Sequence, residues 1–140
     1  MNKHVKLASD YFPSEDEPFM CERHKEYFRR KLKKWKESIY DESRGTVRDM
    51  REVARNIPDI ADRASEETDR ALELRTRDRQ RKLIGKIDAA LRRIEEGTYG
   101  YCEDSGVPIS LKRLDARPIA TLSLEAQERH ERREKVYRDD

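Results

Sequence analysis

FRRKLKKWKESIYDESRGTVRDMREVARNIPDIADRA, residues 28–64, carries the strongest fold signal in the chain. Phe28, Leu32, Trp35, Ile39, Ser43, Thr46, Met50, Val53 and Ile57 recur in steps of three and four. That spacing brings side chains back to one side of a helix, with weak polar layers at Ser43 and Thr46. Charged residues fill most of the remaining positions, so the predicted helix has one narrow apolar seam. At ~1.5 Å per residue, residues 28 to 57 span ~45 Å. Pro58 then opposes continuation, because it lacks an N–H and disfavours the helical conformation at Ile57. Asp59 is placed to cap a following helix, and Asp62 falls near that helix's positive end.

Downstream, Ala64, Ala71, Leu74, Ile84, Ile87, Leu91 and Ile94 predict the seam of a second helix. Two helices joined by a short loop form an antiparallel hairpin. Glycine and proline mark where it ends. Residues 19–96 contain only Gly45, Pro58 and Gly85, whereas residues 97–118 contain Gly97, Gly100, Gly106, Pro108 and Pro118. These residues interrupt helices, so a compact, turn-rich module is expected after the hairpin. Thr121 or Ser123 is a candidate cap for a last helix reaching about Tyr137. Before the hairpin, Pro13, Pro18 and the acidic Glu15, Asp16 and Glu17 predict a loosely attached arm. The expected organisation is an arm at 1–18, a coiled-coil hairpin at 19–96 with its tip near 57–62, and the module with its C-terminal helix at 97–140.

Composition agrees with a mainly α protein. Ala, Glu, Lys, Leu and Arg supply 69 of 140 residues, a bias typical of long helices and coiled coils. Charged side chains make up 44% of the chain and hydrophobic ones 34%, yet the net charge is only +2. Disordered chains usually combine low hydrophobicity with a large net charge, so this balance favours order. No apolar run approaches the ~20 residues a membrane helix needs. The start lacks the apolar core of a secretory signal. Cys21 and Cys102 are too few and too far apart for a disulfide framework, and a reduced, cytoplasmic setting is expected. A pI near 8.5 is too mild to imply nucleic-acid binding alone.

Three constellations have the residue types for chemistry. Asp59, Asp62, Glu66, Glu67 and Asp69 gather at the expected tip. They serve either as caps and solvated first-turn acids, or as carboxylates carried at the end of a lever. No nucleophile and base accompany them, so an independent active site is not expected. Arg75, Arg79, Lys82 and Lys86, with Leu83 among them, share one side of the second helix. They form either a solvated face balanced by Glu73, Asp78 and Asp88, or half of a phosphate site, since guanidinium groups grip phosphate oxygens in pairs. Cys102 is followed by Ser105 but by no second cysteine, and His4, His24 and His130 show no ligand spacing. Structural zinc needs four N or S ligands. By that count zinc is not expected, and both Cys102 and Cys21 read as free packed thiols, with redox reactivity as the alternative.

PDIADRA at 58–64, LELRTRDRQRKLIGKI at 72–87, GTYGYCEDSG at 97–106 and LKRLDARPIA at 111–120 resemble, in order and spacing, the DksA/TraR family. The resemblance covers the chain from about residue 19 onward. It implies a non-enzymatic transcription regulator that binds RNA polymerase rather than promoter DNA. The hairpin is expected in the secondary channel of the polymerase, altering promoter-complex stability together with the stringent-response alarmone guanosine tetraphosphate (ppGpp). On the family pattern Asp59, Asp62 and Ala64 match the functional tip, while Arg79, Leu83, Lys86 and Arg117 match the nucleotide site shared with the polymerase rim. No membrane and no sequence-specific DNA contact are implied, and a monomer is expected. The alternatives are a structural coiled-coil adaptor and a nucleic-acid-binding protein.

Two positions depart from the family pattern. Four zinc-ligating cysteines are typical, and here those positions read Cys102, Ser105, Ser123 and Ala126. The resemblance therefore implies a degenerate, zinc-independent module with no stably bound cofactor. Gln127 stands where the family typically presents a lysine to the nucleotide.

Overall fold

The computed structural model describes residues 5–55 and 60–139. Among these are four helices: α1 (Glu22–Arg55), α2 (Ile60–Glu96), α3 (Leu111–Ala116) and α4 (Leu124–Asp139). The protein is mainly helical, as its periodicity predicts; an isolated antiparallel bridge joins Tyr101 to Pro108. Asp59 and Pro58 lie outside the described residues. Two compact units divide the chain, one comprising residues 33–88 and the other the segments on either side.

In the 33–88 unit α1 and α2 run antiparallel. Lys36 Nζ donates to Asp88 Oδ1 at 2.7 Å, and Gln80 Nε2 donates to Glu42 Oε2 at 3.5 Å, so numbers rising on α1 meet numbers falling on α2. Ile39 and Ile87 are buried here, and Trp35, Leu83 and Ile84 are partly covered. The expected seam of α2 is only partly realised, because Ala64, Ala71 and Leu74 are exposed. Helical geometry explains the loss. Thirteen residues separate Leu74 from Ile87, and at about 100° per residue Leu74 falls roughly opposite the buried isoleucine.

The other unit holds most of the core. Phe28 and Leu32 of α1 and Ala90 and Ile94 of α2 are buried with Tyr99, Ile109 and Leu114. Phe28 and Tyr99 have ring centroids 5.5 Å apart. Gly97, at φ 81°, ends α2 in a conformation that favours glycine, and the amides of Thr98 and Tyr99 return to the Arg93 carbonyl. Beyond it the chain makes a tight turn: Cys102 N–H donates to the Val107 carbonyl at 2.8 Å, and Gly106 N–H to the Cys102 carbonyl at 2.8 Å. Ser110 caps α3, its hydroxyl accepting from Arg113 N–H at 3.2 Å. Ser123, rather than Thr121, caps α4 by accepting from Ala126 N–H at 3.2 Å.

The segment before α1 departs from the expected loose arm. Pro13 and Met20 are buried, and Tyr11 and Phe12 both meet Tyr27 of α1 edge to face. Arg30 donates to the Val5 carbonyl at 3.1 Å. Scattered aromatics without periodicity anchor this segment, which is why its polar composition conceals the docking.

Candidate functional site

The acidic end of α2 begins at Ile60, so Asp62 lies in the helix's first turn, where unpaired backbone N–H groups and the macrodipole favour negative charge. Ala64, one turn on, is exposed. Glu66 is held by Arg70, one turn further along, at 3.1 Å. Glu67 and Asp69 are exposed.

Farther along α2, Arg79, Lys82 and Lys86 are exposed and Leu83 is half-buried. Leu83 lies about 40° from the line of buried Ile87, and Arg79 and Lys86, about 80° and 100° from that line, border the apolar seam. Lys82 pairs with Asp78 at 3.2 Å. Among the described residues Arg79 and Lys86 have no ion-pair partner. Arg117 belongs to the other unit, where it is exposed and closes α3 through an N–H bond to the Arg113 carbonyl at 2.8 Å. Gln127 is engaged by Glu131, its Nε2 donating to Oε1 at 3.2 Å.

In the module, Cys102, Ser123 and Ala126 are buried and Ser105 is exposed. Burial raises the Cys102 thiol pKa, but hydroxyl and amide groups of Ser105 and Ser123 together outweigh it and bring the thiol down to about 6. Donors aimed at a sulfur favour its thiolate form. The four positions thus supply one sulfur, two hydroxyls and one methyl. That set does not fit a four-sulfur zinc site.

A different cluster combines metal-ligating side chains. Glu17, Cys21 and His24 bring one carboxylate oxygen, one sulfur and one ring nitrogen within 4.8 Å of one another. His24 is fully buried, and its Nδ1 accepts from Met20 N–H at 3.2 Å. The Glu17 carboxylate accepts from Tyr11 Oη–H at 2.8 Å and from Ser14 N–H at 3.2 Å. Tyr11 chiefly holds its pKa below the usual carboxylate value, although burial opposes the shift. Sequence reasoning missed this group. Its spacing of four and then three residues was a usable signal, but the first member precedes the helix and Glu17 looked like one solvated acid among three.

Two family descriptions match the chain. The N-terminal domain of the DnaK suppressor protein DksA matches residues 24–94, and the prokaryotic dksA/traR C4-type zinc finger matches residues 97–132. The second match, with the Glu17–Cys21–His24 group, corrects the expectation that zinc has no place in this protein. Counting ligands along the module overlooks three candidate ligands that converge outside it.

The chain is 69% identical over 132 residues to the RNA polymerase-binding transcription factor DksA of Caulobacter vibrioides (strain NA1000 / CB15N), covering 94% of this chain and 93% of that protein. Its identity to the protein of the same name from Escherichia coli (strain K12) is 45% over 119 residues, covering 85% and 79% respectively. Among solved structures, transcription factor DksA2 from Pseudomonas aeruginosa superposes with a TM-score of 0.78 at 41% identity, covering 84% of this chain and 90% of that one. Helical hairpin, turn-rich module and both sequence matches lead to one conclusion: the chain belongs to the DksA/TraR family.

Proposed function

We propose that this protein regulates transcription by binding RNA polymerase directly, inserting the 57–62 end of its hairpin into the secondary channel and acting with ppGpp. The observation that carries this reading is the 69% identity, across both hairpin and module, to a relative named as an RNA polymerase-binding transcription factor. In this reading the arm at 1–18 and the module at 97–140 support the hairpin at 19–96. Asp59 and Asp62 supply negative charge near the polymerase catalytic centre, and Ala64 keeps the approach narrow. The polymerase performs the chemistry; the carboxylates bias its mobile elements electrostatically. Acting at the polymerase, the protein has no need of sequence-specific DNA contacts and functions as a monomer.

In this reading Arg79, Leu83 and Lys86 of α2 are the nucleotide half-site that the polymerase rim completes, and the family pattern gives Arg117 of the other unit a supporting role. The exposed cations at 79 and 86 lack ion-pair partners among the described residues and remain available to phosphate oxygens. Gln127 contributes no cation, so the helix and rim carry more of the phosphate charge.

Site-directed photocrosslinking from Ala64 tests placement of the tip. The expected crosslinks are to polymerase segments lining the secondary channel. Crosslinks confined to the outer surface of the enzyme, with binding intact, would contradict the reading.

A further inference from the structure

The junction between the N-terminal segment and α1 leaves a buried polar atom unsatisfied. His24 Nε2 has no hydrogen-bond partner among the described residues, although the ring is fully buried. Its nearest acidic oxygen is Glu17 Oε1, at 3.8 Å. Buried polar atoms are rarely left unpaired, so such an atom calls for a physical explanation. Cys21 Sγ lies 3.9 Å from Glu17 Oε2, on the other arm of the same carboxylate. The carboxylate therefore stands between a thiol and an imidazole nitrogen.

These separations are close to those of a tetrahedral metal centre. With bonds of about 2.0 Å to nitrogen and oxygen and about 2.3 Å to sulfur, tetrahedral edges are about 3.3 Å from N to O and about 3.5 Å from S to O. The present separations, 3.8 Å from Nε2 to Oε1 and 3.9 Å from Sγ to Oε2, exceed them by about half an ångström, so small side-chain rotations bring one carboxylate oxygen onto a shared ion. Thiolate, imidazole and carboxylate together suit zinc, whereas magnesium and calcium favour all-oxygen shells. The Tyr11 hydroxyl and the Ser14 amide already orient Glu17, as outer-sphere partners do in metal sites.

We propose that Glu17, Cys21 and His24 bind a zinc ion through carboxylate oxygen, thiolate sulfur and Nε2, with water at the fourth position. Binding releases the Cys21 thiol proton to solvent. The neutral ring, whose Nδ1 now accepts from Met20 N–H, carries its proton on Nε2; solvent exchange moves that proton to Nδ1, and the Met20 contact gives way to the metal bond. Arg23 competes for the same anionic edge. Its guanidinium lies 3.7 Å from Glu17 Oε2 and over the Tyr11 ring, and its exposed side chain swings clear when the ion enters.

The site has a structural consequence within this unit. Phe19 and Met20, between the first two ligands, pack onto the turn that leads to Cys102. The Phe19 and Tyr101 rings meet edge to face at 5.4 Å. A Cβ at Gly100 would lie 3.1 Å from Met20 Cε. Tying residue 17 to residues 21 and 24 therefore clamps this segment against the module, placing zinc outside the fourfold position of the family's finger.

The test uses the full-length, metal-stripped protein and zinc alone, titrated against a chromophoric chelator, with cobalt substitution to detect thiolate ligation. About one zinc per chain is expected, with a thiolate-to-cobalt absorption band and a higher melting temperature in zinc. Cys21→Ser should abolish the band and weaken binding by about 10–100-fold. Glu17→Gln should weaken it by about tenfold, and Arg23→Gln should strengthen it several-fold. Cys102→Ser should leave binding unchanged. No zinc captured in competition with the chelator, or binding lost in Cys102→Ser but retained in Cys21→Ser, would overturn the assignment. These outcomes do not depend on polymerase binding.

Discussion

Tyr27, Lys31 and Asp115 show how individual residues hold the module to the base of α1. Tyr27 Oη–H and Lys31 Nζ both donate to Asp115 Oδ1, at 2.6 and 2.5 Å. Burial and the neighbouring carboxylate raise the Tyr27 phenol to about 12. For Asp115, burial acts upward, but Lys31 and Tyr27 together hold the carboxyl below its ordinary value. The two signs differ. The phenol's contribution is complete below its ordinary pKa of about 10 and disappears as pH rises toward 12, whereas the carboxylate's is present above about 4 and lost as pH falls through its lower folded value. Melting temperature should therefore fall between about pH 10 and pH 12, and Tyr27→Phe should flatten that limb. Tyr11, also raised to about 12 by burial and then by Glu17, accounts for part of the remaining slope. An alkaline slope identical in parent and variant would contradict the assignment. None of this trio was legible beforehand, because Asp115 approaches Tyr27 across 88 residues and no local pattern announces such a contact.

At the scale of elements, local chemistry was far more readable. Stripe periodicity points to α1, and of the two candidate caps for α4, Thr121 and Ser123, the structure uses Ser123. The six-residue α3 was missed, since so short a helix offers less than two turns of periodicity and depends on its Ser110 cap and buried Leu111 and Leu114. The exposed part of α2 was misread because apolar residues were counted without tracking their angle around the axis. Gly85 provides a clean test of helix energetics. An added Cβ there meets nothing within 4 Å, so Gly85→Ala should stabilise the protein by about 0.5–1 kcal/mol in chemical denaturation. Unchanged or reduced stability would show that the glycine relieves a constraint within α2. If stability rises while ppGpp synergy falls, the open surface beside Lys86 serves the nucleotide.

For the whole molecule, the balanced charge conceals a spatial separation. Acidic positions collect at the start of α2, cations follow along it, and the two units are covered by charged side chains that leave little room for a large core. This low apolar fraction makes packing of the N-terminal segment consequential: Phe19, Met20 and Tyr11 add contacts that a bare hairpin and module lack. Residue type and position single out the proposed tip carboxylates, while the proposed nucleotide half-site rests on the resemblance, since the residues alone read equally as a solvated basic face. The candidate metal-ligating cluster was hidden because its parts span a turn and the first turn of a helix. The most direct measurement of the central claim is in vitro transcription from a ribosomal RNA promoter, with and without ppGpp, paired with polymerase binding. The parent should inhibit, ppGpp should deepen inhibition, and Asp62→Asn should bind comparably while inhibiting about tenfold less, the scale of one lost charge-assisted contact. Bound parent protein with no effect on the promoter, or Asp62→Asn as active as the parent, would contradict the account.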